Sequence, residues 1–148
     1  MKKLLFVAVM ITALSLTGCG TTVRSFQQGS GAQGETMILL REGLEVDQAL
    51  REVIFVLTRH GFDPEMINSE VGFVRTRWNH EWNDRGTHID DYRVRIVTSF
   101  NPSRTQLILN AEAEMLRGRT RGRENWVRGF DTRAIETLRN DLNMVIGN

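Results

Sequence analysis

Apolar residues recur at helical spacing in two segments of the chain, and each segment predicts an amphipathic helix. The first stripe comprises Val46, Ala49, Leu50, Val53 and Leu57, and the second comprises Ile135, Leu138, Leu142 and Val145. His60-Gly61-Phe62 ends the first helix in the manner of a glycine C-cap. Asp131 or Thr132 caps the start of the second helix, and Gly147 ends it. Each helix therefore has a single apolar face to bury.

Other segments have the short apolar runs or the alternation that favour strands. We expect strands at 37–40, 64–68 and 73–79, with a turn at 69–72 between the last two. In the segment 91–115, apolar and polar residues alternate on both sides of Asn101-Pro102-Ser103-Arg104, whose residue types favour a turn. The sequence thus predicts two hairpins.

The second hairpin, folded about its turn, has one apolar and one charged face. The predicted apolar pairs are Thr98 with Leu107, Ile96 with Leu109, Val94 with Ala111 and Tyr92 with Ala113. On the other face Arg93 stands opposite Glu112, and opposite charges across a sheet attract. Arg95 lies near both Asn110 and Glu112.

The charged face is expected to extend to the first hairpin, where Arg75 and Arg77 occupy the alternate strand positions that point to the exposed side. We expect an open sheet face that carries Arg75, Arg77, Arg93, Arg95, Glu112 and Glu114. Trp78 has the same strand parity as Val74, so it is expected in the core.

Two helices and a sheet, each with one apolar face, pack most economically in two layers. We therefore predict an α+β fold, with both helices on one face of a four- or five-stranded antiparallel sheet. The predicted order is β-α-β-β-β-β-α, within a single domain at residues 37–148. A chain of this length can bury a core without disulfides.

The N-terminal residues have the pattern of a signal peptide. Met1-Lys2-Lys3 is positively charged, and a mainly apolar run from Leu4 to Leu16 follows, too short for a comfortable membrane span. Leu16-Thr17-Gly18-Cys19 then resembles the lipobox of bacterial lipoproteins. The resemblance implies cleavage of the Gly18–Cys19 bond, which removes residues 1–18, and acylation of Cys19, which anchors the chain to a membrane through covalent lipid.

The segment 19–36 is rich in Gly, Gln, Ser and Thr, so we expect a lipidated N-terminus followed by a flexible linker. Gly20 occupies the position where an aspartate tends to retain lipoproteins at the inner membrane of Gram-negative bacteria. The resemblance therefore implies the outer membrane, with the domain in the periplasm.

The charge of the chain is balanced. Lys2 and Lys3 are its only lysines, so the predicted mature chain has 17 arginines against 18 acidic residues. This balance and the predicted export disfavour nucleic acid as a partner. Four arginines nevertheless alternate at Arg117, Arg119, Arg121 and Arg123. They predict a patch for lipid phosphates, lipopolysaccharide or an acidic protein; the alternative is a mobile charged connection before the second helix.

No pattern of residues predicts catalysis or a cofactor. The chain has no Gly-x-Ser-x-Gly elbow, and its single cysteine is expected to carry lipid. Acidic and histidine side chains gather around one loop, at His80, Glu81, Asp84, His88, Asp90 and Asp91. Their spacing matches no common metal motif, so we expect a solvated polar loop, with no metal, and a protein that is not an enzyme.

The predicted order of elements behind a lipobox resembles the helix-grip domains of the BamC (NlpB) group of outer-membrane assembly lipoproteins. The residues that carry this likeness are His60-Gly61-Phe62, the segment 70–78 (EVGFVRTRW) and Tyr92-Arg93-Val94. Lipopolysaccharide-assembly lipoproteins have a similar layout.

These patterns favour a non-enzymatic lipoprotein that docks an envelope protein or assists envelope assembly, and they leave its oligomeric state open. The alternative is a carrier or sensor that holds a lipid or small ligand between helices and sheet. A large apolar cavity would favour the carrier, whereas a filled core beneath an open sheet face would favour docking.

Overall fold

The computed structural model describes residues 23–82 and 91–148, which form seven strands and two α-helices. The strands are β1 (Phe26–Gln28), β2 (Glu35–Leu39), β3 (Pro64–Asn68), β4 (Phe73–Thr76), β5 (Tyr92–Phe100), β6 (Gln106–Thr120) and β7 (Arg123–Asp131). The helices are α1 (Val46–Arg59) and α2 (Thr132–Ile146), and a short 3-10 helix spans Gly31–Gly34. The predicted α+β class is confirmed, with more strands than the four or five expected.

The long strand β6 organises the sheet. Along one edge β6 pairs with β5, and the sheet continues through β4 to β3. Along the other edge its first half pairs with β2 and its second half pairs with β7, which in turn pairs with β1. Every neighbouring pair is antiparallel. The sequence prediction missed β1 and β7.

One face of the sheet is buried beneath both helices. The inward side chains of α1 and α2 join those of the strands in one hydrophobic cluster, and α1 contacts α2. Ala111 and Ala113 are small and buried on this face. Gly61, at a φ of 77°, ends α1 through the predicted C-cap, in which the Phe62 amide donates to the Leu57 carbonyl. Neither described helix is long and apolar enough to cross a bilayer.

The predicted register of the β5–β6 hairpin is wrong by two residues. Thr98 pairs with Leu109 rather than with Leu107, and the same shift runs along both strands. The four-residue turn lies at 102–105 instead of 101–104, because the Asn101 amide donates to the Gln106 carbonyl at 2.9 Å. The Asn101 side chain also accepts from the amides of Thr105 and Gln106. Since the shift is even, the predicted apolar and charged faces are unchanged.

The prediction of a flexible linker is wrong for residues 23–36. Residues 23–34, which we call the N-terminal strap, pack on the sheet, with Val23 and Phe26 buried and β1 paired with β7. Gly129 permits this approach, because a Cβ atom there would lie 2.0 Å from the Gln27 carbonyl oxygen. The Asn110 side chain donates to the Gly31 carbonyl at 2.9 Å. Residues 19–22 lie outside the described residues.

A buried carboxylate joins the strap to the rest of the domain. Asp131, which is fully buried, caps α2 by accepting from the Ala134 amide at 2.7 Å. It also accepts from the hydroxyls of Ser25 and Tyr92, and from the Trp82 indole at 3.4 Å. Among residues 23–82 and 91–148, these donors come from the strap, β5, the segment after β4, and α2. Asp131 is therefore the point at which these four parts of the fold meet.

Tyr92 is held in its neutral form at this cluster. Burial, and then the adjacent Asp131 carboxylate, raise the pKa of Tyr92 far above its ordinary value of 10.0. The unfolded chain loses the phenolic proton near pH 10, whereas the folded protein keeps it. The protonated form thus contributes stability that is complete below pH 10 and declines as the pH rises further.

We expect the free energy of unfolding to fall above pH 10, by up to about 1.4 kcal/mol per pH unit from this group. Tyr92 is the only tyrosine and the only lysines lie at positions 2 and 3, so the chain offers few competing alkaline groups. Tyr92→Phe should cost about 1.5–3 kcal/mol at pH 8 and flatten the alkaline slope. Urea unfolding of both proteins between pH 8 and 11 measures this, and equal slopes would contradict the assignment.

Candidate docking surface

The sheet face opposite the helices carries a ladder of paired charges across β5, β6 and β7. Arg95 Nε lies 2.6 Å from Glu112, and Arg93 donates from Nε and Nη2 to Glu114 at 2.9 and 2.5 Å. Glu114 also lies 3.3 Å from Arg128 Nε. Glu114 is almost fully buried, yet two arginines compensate its charge. The ladder confirms the predicted charged face for Arg93, Arg95, Glu112 and Glu114, with Arg93 opposite Glu114 instead of Glu112. The bulge described below falls at Arg77, so the prediction for that residue is not confirmed.

Two tryptophan rings enclose one arginine of this ladder. The Arg93 guanidinium lies 4.8 Å from the ring centroid of Trp78 and 4.2 Å from that of Trp126. Arg95 also stacks on Trp78, at 4.5 Å. These are cation–π contacts, which add to the ion pairs and fix the guanidinium planes. The result is a Trp-Arg-Trp stack whose side chains are already ordered.

Trp78 lies on the open face because of a bulge, so its predicted place in the core is wrong. Arg75 pairs with Val97, but Asn79 forms a bridge with Val94, which leaves one extra residue on the first chain. The extra residue reverses the strand parity after Thr76. The bulge therefore directs Trp78 toward Arg93 and Arg95 instead of the helices.

The other half of the open face is apolar. Met37 is 66% exposed and lies opposite Ile108, and Leu39 on the same strand is 52% exposed. Phe73 and Val97 continue this half across β4 and β5 with partly exposed side chains. The sequence prediction did not identify this surface, although the exposed parity of β2 follows from its alternation with the buried Ile38.

A polar cavity lies where the strap meets the ladder. Its volume is about 290 Å³, and its lining includes Gly29, Ser30, Glu112, Glu114 and Arg128. Both carboxylates are paired with arginines of the ladder. This cavity lies on the open face and is not the apolar space between helices and sheet that a lipid carrier would need.

The four arginines of the predicted patch lie at the end of the β6–β7 hairpin, so the alternative, a connection between the last strand and the second helix, has the wrong position. Arg117 and Arg119 lie on β6, Arg121 lies in the turn, and Arg123 begins β7. Arg121, at a φ of 52°, and Gly122 form a two-residue turn, since the flanking residues 120 and 123 pair. Arg117 donates to the Gln28 side chain at 3.3 Å, and Arg119 lies 3.5 Å from Glu124.

Several predicted residues lie outside the described part of the chain. These are the lipobox residues Leu16, Thr17, Gly18 and Cys19 and the loop residues Asp84, His88 and Asp90. Of the remaining loop residues, the Glu81 amide donates to the Asn79 side chain. Among residues 23–82 and 91–148, no three His, Cys, Asp or Glu side chains are grouped so as to hold a metal.

No protein-family model matches this chain, and a comparison with curated proteins finds no match. The resemblances to bacterial lipoproteins and to the BamC group therefore stay hypotheses from the sequence.

Proposed function

We propose that this protein is a non-enzymatic, lipid-anchored docking module of the cell envelope, and that the open sheet face binds a protein partner. The lipobox supports the anchor, because acylation of Cys19 would hold the domain at a membrane. Gly20 after the lipobox supports the periplasmic side of the outer membrane. A role in envelope assembly is the hypothesis that the BamC-like order of elements favours.

The Trp-Arg-Trp stack is the observation that carries the docking proposal. Tryptophan and arginine are the residue types that most often dominate binding energy in protein interfaces. Here Trp78, Arg93 and Trp126 are ordered by their own contacts, so binding would cost less side-chain entropy. Side chains that stay mobile on a free surface would give no such advantage.

The partner should present an apolar strip beside acidic side chains. The apolar half of the face, at Met37 and Ile108, would bind the strip. Beside the ladder, the Arg128 side chain is 87% exposed, whereas Glu112 and Glu114 are already paired. The accessible charge at this edge is therefore positive, which favours carboxylates on the partner.

The filled core favours docking over the carrier hypothesis. Side chains between helices and sheet, such as Leu109, Leu138 and Leu142, are 0% exposed and belong to one cluster. A carrier would hold its ligand in this layer, which these described side chains occupy. The carrier hypothesis is the second candidate, and it requires the helices to move away from the sheet.

Exposed methionines give a matched test of the docking face. Met37 lies on the open face, and Met144 lies on α2 with 73% exposure. After crosslinking in cells of the native host, Met37→Glu should reduce capture of a partner at least tenfold, because a charge would enter the apolar strip. Met144→Glu should capture it as the wild type does. Equal capture by both variants, or equal loss, would count against the open face.

The anchor is tested separately by the mass of the mature protein. Material extracted from host membranes should begin at Cys19 and carry a diacylglyceryl group and an amide-linked acyl chain. Cys19→Ser, placed behind a leader whose cleavage does not require that cysteine, should move the protein into the soluble fraction, since acyl chains supply the membrane affinity. An unmodified thiol in the native protein would overturn the anchor and leave the docking test unaffected.

A further inference from the structure

The end of the β6–β7 hairpin is a basic arm, which we define as residues 117–125. The pairing of β6 with β5 ends at Met115. Beyond that residue, β6 pairs only with β7 among the described strands. Every residue of the arm whose exposure is described is exposed. Gly118 and the Arg121–Gly122 turn give it the backbone of a tight, irregular hairpin.

The composition of the arm points to a charged surface without apolar contacts. Its sequence, RGRTRGREN, contains four arginines, one glutamate and no hydrophobic side chain. Protein interfaces rely on buried apolar or aromatic anchors, which the arm lacks. Adsorption to an anionic bilayer requires only cations near the phosphates, and guanidinium groups bind phosphate oxygens in pairs. These properties favour a lipid surface over a protein partner.

The strap keeps the arm close to the proposed anchor. It enters the sheet where Phe26 pairs with Asp131, at the opposite end of β7 from the arm. The nine residues of β7 span roughly 30 Å at about 3.3 Å each. Residues 19–25, which join the anchor to this pair, add at most about 25 Å. An arm confined within roughly 55 Å of the bilayer has a high effective concentration there, so weak contacts suffice.

We propose that the basic arm binds the phosphates of anionic phospholipids in the membrane that holds the chain, and thereby orients the docking face. The orienting role rests on the proposed anchor at Cys19, whereas the phosphate binding does not. With the arm on the bilayer, β7 lies along the membrane. The domain then has two points of contact, one at the lipid and one at the arm.

Co-sedimentation with vesicles tests the arm independently of the anchor. The full chain with Cys19→Ser is mixed with vesicles of phosphatidylcholine alone, or with 30% phosphatidylglycerol, at low salt. The ratio of the two partition coefficients removes binding by the apolar residues 4–16, and the charges of Lys2 and Lys3 are the same in all the variants compared. Arg119→Gln, Arg121→Gln and Arg123→Gln together should lower this ratio by about fivefold per arginine, roughly 100-fold in total.

The control removes the same charge elsewhere. Arg41, Arg51 and Arg139 are exposed at or near the helices, and replacing all three with Gln should leave the ratio within about twofold. Circular dichroism checks that both variants are folded. A ratio unchanged in the arm variant, or an equal loss in the control, would overturn the proposal. If Cys19 of the native protein carries no lipid but the arm variant still lowers the vesicle ratio, the proposed anchor is wrong and the phosphate binding stands.

Discussion

The buried carboxylate of Asp131 is the constraint on which the arrangement of this domain depends. A fully buried charge is tolerated only when donors surround it, and here they come from four separate segments. The Ser25 carbonyl in turn accepts from the amide and hydroxyl of Thr132, so strap and helix are joined in both directions. Removing one segment would leave a buried charge or donor unpaired. The strap is thus integral to the fold.

The open face also depends on a buried carboxylate that must be surrounded by donors. Glu114 is nearly buried at the centre of the sheet, and Arg93 and Arg128 pair with it. The bulge after Thr76 adds Trp78 above this pair, opposite Trp126. A single extra residue in one strand therefore converts a row of ion pairs into an ordered aromatic and cationic surface.

The sequence predicted features that depend on local periodicity and did not predict those that depend on distant partners. Both helices and the two faces of the β5–β6 hairpin follow from spacing. The register shifted because Asn101 pairs with Gln106 through its backbone and its side chain, which moves the turn one residue along the chain. The strap resembles a linker in composition, since its fixed position comes from Asp131, about a hundred residues away. The sequence did not predict β7 because this segment contains arginines and Gly129, which are not typical of a strand. Gly129 is explained by the pairing of β7 with β1, which leaves no space for a Cβ atom.

Amide hydrogen exchange in the strap tests the central claim most directly. In the folded protein, amides of residues 26–28 that bond to β7 should exchange orders of magnitude more slowly than those of a free chain. In Asp131→Asn, which replaces an acceptor with a donor, this protection should fall more than that of β5. Strap amides that exchange at free-chain rates in the wild type would contradict the account, because the strap would then be a linker.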